Sequence, residues 1–320
     1  MKKSKAFLQF LAVLYMASLC LYLPSCSINK LAMNMVADAL TGEGNADVFT
    51  GDSDPELVGD AIPFAIKMYE ALLSQNPTHQ GLMITTGSMF IMYANAFVQG
   101  PSEMLPSSDW QAREEGAMRA KALYLRGYEI LNNALEAKYP GFKKAASDEK
   151  AFKTYLSKFK KGDVGTIYWA VAGGLSAYSI DIMDFYLSGR IPLWNAMIHR
   201  AYEIDPDFGG ASLNEFFIIF YASLPEMMGG DKEKAIEHFY LTLKKTDGKS
   251  AGAYVSYAQS ICIPDQDYDT YKDYLEKALA INPDDDVPTR LVNIISQRKA
   301  RWLLDNAWIH FSFLPIPDDY

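Results

Sequence analysis

The sequence predicts an all-α protein, an irregular array of helical hairpins with extra helices, and three observations carry that prediction. Apolar residues recur at three- and four-residue spacing in segments beginning near Asp60, Arg113, Asp148, Thr166, Leu193, Leu213, Asp231, Tyr254, Tyr268 and Val287, each bounded by Pro, Gly, Asn or Asp. No stretch alternates polar and apolar residues as a half-buried strand would. A common helix ending recurs along the chain. The 320 residues are 49% apolar and 22% charged, a core-forming composition far from that of a disordered chain. A formal charge of −9 argues against nucleic acid as the main partner.

The chain opens with Lys2, Lys3 and Lys5 before an apolar run from Ala6 to Leu23, which has the form of a signal peptide over residues 1–25. The run ends in Leu23-Pro24-Ser25-Cys26, which resembles a bacterial lipobox. That resemblance implies acylation of the Cys26 thiol, palmitate included, with Cys26 as the new N-terminus. The alternative is an uncleaved anchor helix, and in both readings the rest of the chain is exported, lipid- or helix-anchored to the cell membrane, and facing the periplasm. No other stretch is expected to approach transmembrane length. Residues 26–55, with Thr41-Gly42-Glu43-Gly44-Asn45 inside them, read as a lipidated tether and turn. Removal of residues 1–25 takes three lysines and no acids, which lowers the formal charge from −9 to −12. Of the three cysteines, Cys20 leaves and Cys26 carries lipid, so no intrachain disulfide remains. Cys262, within Ile261-Cys262-Ile263, is expected to be a small buried hydrophobe.

The all-helical body is placed at residues 56–320. Its first segment, Ala65 to Pro77, has a small residue, an aromatic four later (Tyr69), an apolar pair and a proline twelve after the small one. This is the ending of a tetratricopeptide repeat, or TPR. Trp194, Ile198, Ala201 and Pro206 repeat the spacing, as do Tyr271, Leu275, Ala278 and Pro283. Ala235 and Phe239 form a copy with Asp247 in place of the proline, and Gly127, Leu131 and Ala134 form another with Pro140 one residue late. Small residues let paired helices approach, the aromatic fills the groove, and proline starts the next turn. Gly87 and Phe90 fall where the next repeat would carry Gly and an aromatic, and Trp169-x-x-Ala172-Gly173 matches a repeat opening. Separations of 41 from Trp194 to Ala235 and 36 from Ala235 to Tyr271 depart from the usual repeat length, so the array is irregular.

In such an array the first-helix positions facing the concavity are Ile84, Ser88, Ile91 and Met92 after Pro77, and Leu213, Phe217, Phe220 and Tyr221 after Pro206. They are mostly apolar and lack the Lys, Arg and Asn that clamp an acidic peptide tail. One reading is a groove or channel for an apolar ligand or partner helix. The other is a face covered by the chain's own helices, the aromatic segment Trp302 to Phe313 among them.

His79, His199, His238 and His310 are scattered, with no H-E-x-x-H, G-x-S-x-G or Walker loop, so no catalytic residue, cofactor or metal is expected. A cluster of His199 or His238 with buried acids would reopen an enzymatic reading. Asp265, Asp267, Asp269 and Glu276 copy the carboxylate spacing of a calcium loop, but Thr270 stands where that loop needs Gly, and the residues from Tyr268 continue as helix. They read as acids at a helix N-terminus. Eight lysines between Lys138 and Lys161 read as a solvated helix face.

Lipobox, tether, irregular TPR endings and apolar concave face together resemble the T components of tripartite ATP-independent periplasmic (TRAP) transporters, TPR-containing lipoproteins of treponemes. The resemblance spans the whole chain. It implies a non-enzymatic periplasmic adaptor that binds the transporter's solute-binding protein and helps pass a hydrophobic or organic-acid ligand to the permease. It also implies homo-oligomers, trimers among them. A structural envelope scaffold that handles no small molecule is the alternative. Only Cys26 carries over from the resemblance, as the lipid attachment site.

Overall fold

The computed structural model describes residue 35 and residues 37–42, 47–146 and 148–316. The signal segment and Cys26 lie outside them. Among the described residues every regular element is helical, and eleven helices of seven residues or more carry the fold.

α1 (Pro55–Gln75) starts where the Asp54 carboxylate accepts from the Leu57 N–H and Pro55 occupies the first turn, where no donor is needed. α2 (Gln80–Tyr93) is capped by the His79 imidazole, which accepts from the Leu82 N–H. It runs on through a π-helical segment, Ala94–Gln99, into the turn Gly100–Glu103. α3 (Trp110–Lys138) is the longest helix, followed by α4 (Glu149–Leu156), α5 (Val164–Ile180) and α6 (Ile191–Ile204). Next come α7 (Ser212–Ser223), α8 (Lys232–Lys245) and α9 (Ala251–Tyr257), which continues through a second π segment, Ala258–Cys262. α10 (Tyr268–Ala280) and α11 (Arg290–Asp305) complete the series.

The two π segments share a cause. Each begins at the alanine of a Tyr-Ala pair and precedes a proline, Pro101 and Pro264. A proline ring presses on the carbonyl four residues earlier and donates no hydrogen bond. Widening the helix by one residue relieves that clash, and the Gly100 and Ile263 N–H groups accordingly reach the carbonyls of Asn95 and Ala258, five residues back.

α1 packs on α2, α2 on α3, α5 on α6, α7 on α8, α9 on α10 and α10 on α11, with α3 also packed along α5, and small residues set how closely helices approach. α2 and α3 cross at Gly87 and Gly127: a Cβ on Gly127 would lie 2.6 Å from the Gly87 carbonyl oxygen. Trp194 of α6 lies flat over Gly174 of α5, where an added Cβ would come within 2.4 Å of the indole. Small residues at two positions of the recurring ending are buried, Ala65 and Ala235 at the first and Ala134, Ala201 and Ala278 seven residues later. The last helix returns to the first. Leu291 of α11 is buried in a cluster with Ile62, Ile66 and Phe90. Arg298 holds Glu56 through both guanidinium nitrogens, Arg290 donates to the Gly51 carbonyl at 2.8 Å, and Lys299 pairs with Glu103 at 3.0 Å. The array thereby closes on itself.

Two expectations are corrected here. The helix over Gln80–Glu103 is long and apolar enough to span a membrane by length and composition, contrary to the reading that no stretch beyond residue 25 is. It is half buried within the protein, packed by α1, α3 and α5, because a helix surrounded by other helices has no polar face to present. Part of the segment read as tether is also structured: residues 37–41 are helical and Ala37 is buried against α1 and α2. The Tyr69 hydroxyl donates to the Leu40 carbonyl at 2.9 Å, and His79 meets Asp38 at 3.0 Å.

Candidate functional site

α7 is apolar on most of its circumference, and its sequence puts aromatics at three- and four-residue spacing. Phe217 is sandwiched by two imidazoles, His238 of α8 stacked at 4.7 Å and His199 of α6 edge-on at 5.1 Å. Tyr221 stacks on Phe217 at 5.3 Å and on His238 at 5.7 Å, and Tyr202 of α6 meets the edge of Phe217 at 5.4 Å. The result is a continuous aromatic layer between α6, α7 and α8.

Most of its polar atoms find partners inside the layer, the buried Asn214 amide nitrogen being an exception. His199 Nδ1 donates to the Asn195 carbonyl at 2.8 Å, which leaves Nε2 to accept from the Tyr221 hydroxyl at 2.8 Å. His238 Nδ1 meets Asn214 Oδ1 at 2.9 Å, and the Tyr202 hydroxyl donates to the same oxygen at 3.3 Å. Burial pushes the His238 imidazole below its ordinary value and the Tyr221 phenol above its own. Neither imidazole is bonded to a carboxylate among the described residues, so the layer lacks the acid that orients a catalytic histidine.

A cleft of about 380 Å³ opens beside this layer, lined by Asn195, His199, Tyr221, Gly229 and Lys234 with Pro192 and Ala196. Lys234 Nζ pairs with Asp231 at 3.1 Å and sits 5.4 Å from the Tyr221 ring centroid. Gly229 has φ of +104°, and a Cβ there would stand 3.1 Å from the Asn195 amide nitrogen, so glycine lets the loop after α7 close the cleft. Asn195 Oδ1 is buried without a hydrogen-bond partner. A second cleft of about 380 Å³ lies past the first π segment, lined by Glu103, Trp110, Arg113 and Glu114 with Ser102, Ser107 and Ala117. Glu103 there accepts from Gln99 at 2.8 Å and holds Lys299 of α11.

Of the groove residues expected from the sequence, Ile91, Leu213, Phe217, Phe220 and Tyr221 fall in one hydrophobic cluster and are buried, while Ile84, Ser88 and Met92 of α2 are half-buried. Tyr221 alone of the eight named groove residues reaches one of the two clefts. The pattern of single-helix spacing found these apolar positions but not His199, His238 and Asn214, which meet from three helices.

The calcium-like acids are taken up locally. Asp267 caps α10 by accepting from the Thr270 N–H, Asp265 pairs with Lys232, and Glu276 with Lys272. Among the described residues no group of three or more His, Cys, Asp or Glu is placed to hold a metal. Cys262 is buried, and burial pushes its thiol up to about 12. Lysines of the basic run are tied to neighbouring acids: Lys138 to Asp163 at 2.6 Å, Lys161 to Asp205 at 3.2 Å, and Lys143 to Glu129.

The chain matches the family described as TRAP transporter T-component over residues 51–311, nearly the whole helical body. A chain of Treponema pallidum (strain Nichols), itself described as an uncharacterized protein, is 35% identical over 298 residues, which cover 89% of this chain and 92% of that one. With its closed helical body and these two likenesses, the chain belongs to the TRAP transporter T-component family.

Proposed function

We propose that this protein is a non-enzymatic, membrane-tethered adaptor that docks the periplasmic solute-binding protein of a TRAP transporter and passes an apolar or organic-acid ligand toward the permease. The observation that carries this reading is the family match over residues 51–311, which makes the chain a component of TRAP transport. The anchor is the lipid on Cys26, and incorporation of labelled palmitate, lost in Cys26→Ala, checks it. The body is a TPR-like array, a reading supported by buried small residues at two positions of the recurring ending, Ala65 and Ala235 at the first and Ala134, Ala201 and Ala278 seven residues later. The working form is a homo-oligomer, a trimer in the family's manner, and light scattering of the purified protein reads its mass.

Crosslinking in cells followed by capture should recover one solute-binding protein, and repeated empty captures would sink the adaptor reading. A second reading, an envelope scaffold with no small-molecule ligand, is favoured by one observation: Ile91, Leu213, Phe217 and Phe220 are covered by the protein's own helices. Mass spectrometry of the purified protein separates the two, since a co-purified apolar or acidic molecule excludes the pure scaffold.

A further inference from the structure

From Lys138 to Lys161 eight lysines stand against only Asp148 and Glu149, so this stretch carries +6 in a chain whose total is −9. Contacts with the end of α3 gather it at one end of the molecule. Lys138 closes α3, Lys143 Nζ donates to Asn133 of α3 at 2.6 Å, and the Tyr155 hydroxyl donates to the Pro140 carbonyl at 2.8 Å. Lys144, Lys150, Lys158 and Lys160 are exposed, and among the described residues no carboxylate pairs with them. Neighbouring acids are engaged elsewhere. Glu136 accepts from the N–H groups of Gly141 and Lys143, both at 2.7 Å, and Glu129 takes the Lys143 ammonium. Asp148 caps α4, and Asp163 is buried against Lys138 and Tyr139. The charge offered to solvent at this end is positive, although the chain as a whole is acidic.

The segment that follows the lipobox is fastened to the same end. Ala37 is buried, the Leu40 carbonyl accepts from Tyr69, Asp38 meets His79 at 3.0 Å, and a Cβ on Gly81 would lie 2.5 Å from the Thr41 hydroxyl. Gln80, next to His79, donates to the Ala134 carbonyl at 3.2 Å, one turn before Lys138. Ala37 stands eleven positions after Cys26. Eleven residues reach about 40 Å at most, and Trp110 begins α3 about 40 Å from Lys138. Attachment at Cys26 therefore brings the lysine-bearing end toward the bilayer and leaves the Trp110 end remote. A leash of that length still lets the body tumble, and charge can hold one face down.

We propose that Lys138–Lys161 rests on anionic headgroups of the membrane that carries the Cys26 anchor, orienting the helical body with the start of α3 away from the bilayer. This rests on the anchor reading above. Each lysine near an anionic surface strengthens binding about fivefold, an effect that salt screens within about 10 Å at 0.1 M. A polybasic segment beside acyl chains is the second signal that turns tethering into fixed apposition.

The test places the lipidated protein in vesicles and measures energy transfer from a dye to a headgroup acceptor. The dye sits on Thr154→Cys within the basic stretch or on Gln111→Cys at the start of α3, both exposed, while Cys262 is buried. In phosphatidylcholine vesicles containing about one third phosphatidylglycerol, transfer from residue 154 should exceed that from residue 111 at least about twofold. The excess should vanish in pure phosphatidylcholine and at about 1 M salt, where screening acts within about 3 Å. K144Q/K150Q/K158Q/K160Q should abolish it with an unchanged melting temperature, and arginine at the same four positions should preserve it. An excess that is the same with and without phosphatidylglycerol, or that survives the glutamine variant, overturns the proposal and leaves the anchor standing. Protein that fails to float with either vesicle overturns the anchor and the orientation together. A glutamine variant that keeps wild-type transfer but loses the purified solute-binding subunit assigns the lysines to an acidic protein surface and overturns the lipid contact.

Discussion

His238 shows how a single side chain acquires its character from three helices. Its ordinary value is 6.5, and burial beneath Phe217 and Tyr221 lowers it, with His199, Lys234 and Lys245 acting in the same direction and Glu237 opposing. The folded state therefore holds the imidazole neutral, whereas the unfolded chain takes up a proton near pH 6.5. The stability this residue supplies is full above that pH and is lost as pH falls from about 6.5 toward the lower folded value. His310 is lowered in the same sense, while Glu215, raised by burial, titrates with the opposite sign. Melting temperatures of wild type and His238→Gln between pH 7.5 and 5.5 isolate the effect: the wild type should lose more on acidification. Parallel curves would mean that His238 takes no part. The sequence marks this residue only as an isolated histidine on a helix, because its partners Asn214 and Phe217 are more than twenty positions away.

At the level of the element, caps and prolines explain where helices begin and change pitch. Asp54, Asp148, Asp184, Asp231 and Asp267 each accept from a backbone N–H at the start of a helix. These positions are legible in the sequence, since a short acceptor before an apolar-periodic run satisfies donors that the helix itself leaves open. Asp267 is the instructive case, because its spacing to Asp265 and Asp269 imitates a calcium loop. Its carboxylate is engaged by Thr270, whose hydroxyl first and backbone N–H second hold it below its ordinary value. Asp267→Ala should therefore destabilise the protein by about 1 kcal/mol, as cap removal does. Millimolar calcium should leave the wild-type melting temperature unchanged, and a calcium-dependent rise would restore the metal reading. The π segments were not read from the sequence: helical spacing does not distinguish a turn widened ahead of Pro101 or Pro264 from an ordinary one.

For the whole molecule the decisive feature is closure. An open solenoid ends in terminal repeats that shield its core. Here α11 performs that service for α1, with Leu291 inserted beside Ile62 and Arg290 bonded to the Gly51 carbonyl. Truncating Leu291 to Ala should cost about 2–5 kcal/mol, as for other buried leucines. Because the first and last helices share that cluster, calorimetry should show one transition shifted downward. Two separated transitions in the variant would show that the ends fold independently.

By itself the sequence determined the helical class, helix starts at Asp148, Asp231 and Asp267, and small residues where helices approach, because each depends on local periodicity and backbone chemistry within a turn or two, whereas the first helix, expected near Asp60, starts at Pro55. It also carried the resemblance of Leu23-Pro24-Ser25-Cys26 to a lipobox, which lies outside the described residues. Tertiary structure alone decided that Ile91, Leu213, Phe217 and Phe220 are covered, that His199 and His238 meet across α7, that Lys121 pairs with two acids 60 and 63 residues away, and that the array closes. These outcomes turn on which faces of distant helices meet, and helical spacing marks an apolar face without naming what lies against it.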